Sequence, residues 1–198
     1  MVTMDATLSD AIVVYGASSA HIDPAYKEAA RQLGERIARS GMTLITGGGR
    51  SGLMAASIEG AISAGGKAVG ILPQFMVERQ WGHPSLSEVI VTPDMHTRKR
   101  TMASMTRAAI ALPGGCGTLE ELLEIITWRQ LGLFGGNVVI ANINGYYAPL
   151  LQMLEQTIAE GFMHTDHRQL WAVATTPAEA VEMALRPITA THFSQKIE

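Results

Sequence analysis

Charge is scarce in this sequence. Asp, Glu, Lys and Arg make up 17% of its 198 residues, against roughly 25% in a typical soluble domain. Only four lysines occur, Lys27, Lys67, Lys99 and Lys196, so chemistry through a lysine Schiff base has few candidates. A single cysteine, Cys116, excludes an internal disulfide framework and a cysteine-built zinc site. A formal net charge of −3 leaves no basic footprint for nucleic acid. The first ten residues carry two acids and no base, so they do not read as a secretory signal. The uncharged stretch 131–154 is broken by Asn137, Asn142, Asn144, Gly145 and Pro149, which argues against a membrane span. The expectation is a soluble cytoplasmic protein with no nucleic-acid or membrane partner.

Apolar residues and glycine are plentiful, at 47% and 20 residues. A chain this apolar can bury a sizeable core as one domain. The pattern predicts that domain over 11–186, after an extension over 1–10 and before a loosely held tail over 187–198.

Short apolar runs alternate with helical patterns. Strands are expected over 11–15, 42–46, 68–72, 88–91, 108–112, 138–142 and 171–174. Helices are expected over 24–40, 52–64, 94–106, 119–131, 147–160 and 177–185, the first capped by Asp23 with Pro24 at its first position. The runs are continuously apolar, as strands buried on both faces should be. This is the α/β class: a doubly wound, Rossmann-like parallel sheet with helices on both faces. In such folds ligands sit beyond the carboxyl ends of the strands.

Three loops at that edge are unusual: Gly16-Ala17-Ser18-Ser19, Gly47-Gly48-Gly49-Arg50-Ser51-Gly52 and Pro113-Gly114-Gly115-Cys116-Gly117-Thr118. Glycine lets backbone N–H groups approach a ligand closely, and a following helix start favours an anion. Tight turns are the plain alternative. No GxxxxGK[ST] occurs, and neither GxGxxG nor a spaced acid follows the first strand. The spacing therefore points to a mononucleotide or sugar phosphate.

Thr118-x-x-Glu121 fits a capping box, with Thr118 as N-cap. The helical wheel buries Leu119, Leu122, Leu123 and Ile126 and sets Glu121, Glu124 and Trp128 opposite. Glu121 can therefore finish the helix, meet a sugar ring, or do both. Asp94 reads as the cap of the helix carrying Arg98, which shares a face with Met95, Met102 and Met105. Arg98 is either a snorkelling side chain or one directed into the cleft; the cleft is the favoured reading. Lys99 and Arg100 can be read as solvated. Cys116 could be an activated thiol, but no histidine lies near it in sequence, and the loop needs a small residue there. His164 and His167 read as surface residues, and no metal site is expected.

Pro113-Gly114-Gly115-Cys116-Gly117-Thr118-Leu119-Glu120-Glu121 fits PGGxGTxxE. With Met95-His96-Thr97-Arg98-Lys99 and Gly47-Gly48-Gly49-x-x-Gly52-Leu53-Met54, it resembles the Lonely Guy family of cytokinin riboside 5′-monophosphate phosphoribohydrolases, long mislabelled as lysine decarboxylases. The resemblance runs from about 11 to 175 and includes Gly145-Tyr146-Tyr147. It implies a Rossmann-like homodimer, without cofactor, that hydrolyses the N-glycosidic bond of an adenosine 5′-monophosphate or its N6-prenylated form. The products would be free base and ribose 5-phosphate. Its key arginine falls on Arg98 and its key glutamate on Glu121. The implied nucleotide-binding set is Gly16, Ser18, Gly47, Gly48, Gly49, Met95, Lys99, Gly114, Gly115, Gly117 and Thr118. Ala55 stands where the family commonly has glycine, and the segment 75–87 is its least family-like stretch.

The alternatives are a sensor or carrier that binds a mononucleotide without turnover, and a pyridoxal-dependent decarboxylase. Phe75, Met76, Trp81 and Met95 are candidates for a prenyl pocket. Trp128, Leu131, Leu133 and Phe134 are candidates for a dimer surface.

Overall fold

The computed structural model describes residues 10–188, so residues 1–9 of the expected extension over 1–10 and residues 189–198 of the expected tail over 187–198 lie outside it. Seven strands form one all-parallel sheet: β1 (Ala11–Tyr15), β2 (Thr43–Thr46), β3 (Ala68–Pro73), β4 (Glu88–Thr92), β5 (Ala108–Ala111), β6 (Asn137–Ala141) and β7 (Ala172–Ala174). Their order is β4-β3-β2-β1-β5-β6-β7. The helices are α1 (Pro24–Arg39), α2 (Gly52–Ser63), α3 (Gln74–Glu78), α4 (Met95–Ser104), α5 (Cys116–Gln130), α6 (Ala148–Ala159) and α7 (Pro177–Leu185). This is the doubly wound α/β fold expected from the sequence.

Alternation along the strands divides two cores. Ile12 and Val14 of β1 face a layer built by α1, α2 and α7, with Leu33, Ile37, Leu53, Ile58 and Val181. Ala11, Val13 and Tyr15 face the opposite layer, with Met102, Leu122, Ile125, Ile126 and Leu154 of α4, α5 and α6. Both faces of the central strands are therefore covered, which is why they read as unbroken apolar runs. β4 departs from that expectation. It is an edge strand with Val89 and Val91 exposed and only Thr92 buried, because no helix covers one of its faces. α3, five residues long, was not foreseen; it is too short to show a helical period.

The winding reverses at β1, which pairs with β2 on one side and β5 on the other. That reversal opens a crevice beyond the carboxyl ends of β1 and β5. The loops after β1, β2 and β5 are the three glycine-bearing segments, and the fold brings them to one place. Among the described residues, no helix is long and apolar enough to cross a membrane.

Candidate active site

The crevice is a cleft of about 740 Å³. Gly16, Ala17, Ser18 and Ser19 line it from the first loop, and Gly47, Gly49, Arg50 and Ser51 from the second. Gly115, Cys116, Gly117, Thr118, Glu120 and Glu121 line it from the start of α5, and Met95 and Arg98 from α4. Arg50, Ser51, Met54 and Leu72 are not in the binding set expected from the sequence, although the first three lie inside the quoted glycine motifs. Gly48 and Gly114 stand behind the wall. A side chain on Gly48 (φ +72) would run into Leu72, and one on Gly114 would strike Thr118.

Asp94 caps α4 as expected, its carboxylate accepting from Thr97 N–H at 2.7 Å. One turn on, Arg98 is buried. Its Nε donates to the Ile71 carbonyl of β3 at 2.9 Å, and its Nη1 donates to Glu121 Oε1 at 3.3 Å. The second glycine loop presses against the same guanidinium: a Cβ on Gly47 would collide with Arg98 Nη2. Arg98 therefore faces the cleft. Of its expected methionine stripe, Met95 lines the cleft and Met102 is wholly buried in the core.

α5 begins at Cys116 with Gly115 as N-cap, three residues earlier than the sequence suggested. The expected capping box does not form. Thr118 occupies the third helical position and is buried, because the extended backbone of Gly115 starts the helix without a side-chain cap. Leu123, expected in the buried stripe, is exposed, and Ile125 is buried instead. Glu121 is thereby freed from a capping role. Its side chain is 14% exposed. Burial pushes its pKa up to about 7, while the adjacent Arg98 pulls it down.

The starts of α2 and α5 beside the cleft differ. The Ala17 carbonyl accepts from Leu53 N–H at 2.8 Å and Met54 N–H at 3.4 Å, so α2 spends those donors on the first loop. Gly52 (φ +67) makes that approach possible; a side chain there would strike the carbonyls of Ala17 and Ser19. At α5 the backbone N–H groups of Gly115, Cys116, Gly117 and Thr118 have no partner among the described residues. Unpaired donors at a helix N-terminus suit an anion.

Lys99, on the same helix as Arg98, does not line the cleft. It is buried, with its ammonium paired to Glu120 and, at 3.0 Å, to Glu124. The other described lysines, Lys27 and Lys67, do not line it either. Cys116 is exposed in the cleft wall, and no histidine shares that wall.

The segment after β3 closes the cleft mouth. Gly49 forms an antiparallel bridge with Gly82, His83 N–H donates to the Gly48 carbonyl at 2.8 Å, and Arg50 N–H donates to the Trp81 carbonyl at 3.1 Å. Gln80 adopts φ +56 to make the turn. The strap sets Met76 and Trp81 in the cleft wall beside Met54, Leu72 and Met95. Phe75 is not in the wall; it packs edge-on against Trp81 with the ring centroids 6.3 Å apart. His164 and His167 build a capping box over residues 165–170, with His167 buried rather than at the surface. Among the described residues no group of three or more His, Cys, Asp or Glu could hold a metal ion.

A sequence-family model described as "Possible lysine decarboxylase" matches residues 54–184. Cytokinin riboside 5′-monophosphate phosphoribohydrolase LOG4 of Arabidopsis thaliana is 38% identical over 91% of this chain and 84% of its own. Probable cytokinin riboside 5′-monophosphate phosphoribohydrolase LOGL1 of Oryza sativa subsp. japonica is 40% identical over 85% and 75%. The chain belongs to the Lonely Guy family. Among solved structures, a molybdenum cofactor carrier protein of Chlamydomonas reinhardtii superposes with a TM-score of 0.67 at 25% identity, over 88% of this chain and 94% of that one. Another match is the protein named TM1055, at TM-score 0.65 and 26% identity over 86% and 95%. Arg98 and Glu121, 23 positions apart in sequence, meet here beside the switch point of the sheet.

Proposed function

We propose that this protein hydrolyses the N-glycosidic bond of an adenosine 5′-monophosphate, plain or N6-prenylated, giving free base and ribose 5-phosphate. The contact between Arg98 and Glu121, beside an unpaired helix N-terminus, carries the reading. The 5′-phosphate sits on the N–H groups of Gly115, Cys116, Gly117 and Thr118, which anchor the end of the substrate that does not react. The ribose lies over Glu121. Glycosidic cleavage passes through an oxocarbenium-like state, which an ionised Glu121 stabilises; the same carboxylate orients or deprotonates the attacking water. A guanidinium is not an ordinary proton donor, so Arg98 has another role. It favours the ionised form of Glu121, holds that carboxylate in place, and donates hydrogen bonds to the departing base.

The base lies under the strap, against Met76, Trp81, Met95 and Leu72. An apolar wall of this kind accommodates a prenyl group on N6. The reading includes a homodimer working in the cytoplasm. Leu131 and Leu133, exposed after α5, together with Val89 and Val91 on the sheet edge, supply apolar surface for a second copy. Phe134, expected at that surface, is instead buried in the core under the turn that follows α5.

A carrier without turnover is the second reading, favoured by the likeness to the Chlamydomonas carrier protein. Against it stands Glu121: a carboxylate beside a phosphate cradle repels the anion, and glycosidic cleavage gives it a use. The label of the family model suggests a decarboxylase, which needs a lysine in the cleft for its pyridoxal cofactor; none of the described lysines lines it. Incubating the protein with AMP and isopentenyl-AMP, and assaying ribose 5-phosphate, tests the proposal. Release with both, at a higher kcat/KM for the prenylated substrate, is expected. Tight nucleotide binding without release would leave the carrier reading.

A further inference from the structure

Gly145-Tyr146-Tyr147 begins 24 positions beyond Glu121, the last cleft-lining residue in sequence, and the proposed reaction assigns it no role. The chain reaches it through a tight turn after β6, with Asn144 at φ +53 and Gly145 at φ +74. The Asn142 side chain accepts from Tyr147 N–H at 2.7 Å and fixes the turn. Both phenol rings then point back at the loop between β5 and α5. Tyr147 Oη donates to the Leu112 carbonyl at 2.7 Å, and Tyr146 Oη donates to the Gly114 carbonyl at 2.6 Å. Between them the Pro113 carbonyl accepts from Ala17 N–H at 3.1 Å. Three consecutive carbonyls of the glycine loop are thus held by donors from outside it.

A trans peptide points its N–H opposite to its C=O. Holding the Gly114 carbonyl on one side therefore aims the Gly115 N–H to the other. Gly115 lines the cleft, and its N–H has no partner among the described residues. With glycine on both sides, that peptide plane has little steric preference of its own. We infer that Tyr146 is a positioning residue of the phosphate cradle: its hydroxyl selects the orientation of the Gly114–Gly115 peptide that presents a donor to the anion. The inference rests on the reading that this cleft holds a 5′-phosphate.

Tyr147 provides an internal contrast. The carbonyl it holds belongs to the peptide between Leu112 and Pro113, which has no N–H to aim. Its ring is fully buried, so its hydroxyl serves stability. Tyr146 is 42% exposed, and its ring contacts, to Tyr26 at 6.2 Å and Tyr147 at 5.1 Å between centroids, do not need the hydroxyl.

Calorimetric titration of ribose 5-phosphate and of adenosine against the wild type, Tyr146→Phe and Tyr147→Phe, beside thermal unfolding, tests this. Tyr146→Phe should weaken ribose 5-phosphate by roughly fivefold, the worth of one hydrogen bond. Adenosine affinity and Tm should stay put, and KM for AMP should rise without a fall in kcat. Tyr147→Phe should lower Tm with no selective loss of ribose 5-phosphate. Unchanged ribose 5-phosphate affinity in Tyr146→Phe, or a loss shared equally by both ligands and Tm, overturns the inference. A wild type that binds ribose 5-phosphate but releases no adenine from AMP removes the hydrolase reading alone. A wild type without affinity for ribose 5-phosphate overturns both.

Discussion

Nη1 of Arg98 stands 3.3 Å from Oε1 of Glu121, and the two side chains are 7% and 14% exposed. A carboxylate this buried resists ionisation, and the guanidinium beside it makes ionisation possible. The pair therefore works as a unit. Replacing Glu121 with Gln keeps the shape and a hydrogen-bond acceptor for Arg98 but removes the charge. Adenine release from AMP should fall by at least about a hundredfold, within the range for a positioned acid–base group, while the circular dichroism spectrum stays native. Full activity in Glu121→Gln would sink the role given to that carboxylate.

The pH dependence follows with a definite sign. The folded pKa of Glu121 is raised from 4.5 to about 7. Between those values the unfolded chain releases a proton that the folded one keeps, so stability falls as pH rises from 4.5 and levels off above about 7. Activity runs the other way, because the ionised form is needed: kcat/KM should climb through about pH 7 and then plateau. Tm of the wild type minus that of Glu121→Gln, measured across this window beside the rate profile, checks both. A rate profile already flat from pH 5 would refute the assignment.

Arg98→Ala is the harsher change. It leaves a carboxylate buried without its partner and strips the Ile71 carbonyl of a donor. Breaking such a pair from one side costs about 3–5 kcal/mol, so Tm should drop along with activity. Arg98→Lys retains the charge but cannot reach Ile71 and Glu121 with one planar fork. It should keep more of the stability than of kcat. Thermal melts beside steady-state rates separate the two effects.

Most of the sheet was legible in the sequence because its central strands are buried on both faces and its helices are long enough to show their period. Arg98 and Glu121 were legible because each breaks a local pattern, an arginine among methionines and a glutamate beside a glycine loop. What sequence could not give was the sharing of work between the glycine loops. Whether a helix start keeps its N–H groups for a ligand depends on a distant carbonyl, here Ala17 on α2. The start of α5 was misplaced for a related reason. Thr118 has the chemistry of a cap, but an extended Gly115 does the capping without a side chain. The strap over 80–83 was illegible because its pairing with Gly48 and Gly49 is non-local.

Gly47→Ala probes that second loop. The added methyl would occupy the space of the Arg98 guanidinium. Either Arg98 or the loop must shift, and a misplacement of about 1 Å can cost 10²-fold in rate. The variant should fold with a lowered Tm, lose most of its kcat, and lose less of its ribose 5-phosphate affinity, since that ligand rests on α5. An equal loss in kcat and in ribose 5-phosphate affinity would instead put the phosphate on the second loop.

Lys99 decides between two kinds of electrostatic work. The family resemblance puts it beside the nucleotide; the structure ties its ammonium to Glu120 and Glu124 on α5, joining α4 to α5. Lys99 also lowers the pKa of Glu121, while Glu120 and Glu124 raise it. Lys99→Met fills the same space without the charge. It should cost about 1–3 kcal/mol of stability, since one partner, Glu120, is half exposed. It should also move the rising limb of the kcat/KM profile to higher pH, because Glu121 loses a neighbour that favours its ionised form. KM for AMP, measured above that limb, should change little. A large rise in KM with an unmoved limb would return Lys99 to the phosphate.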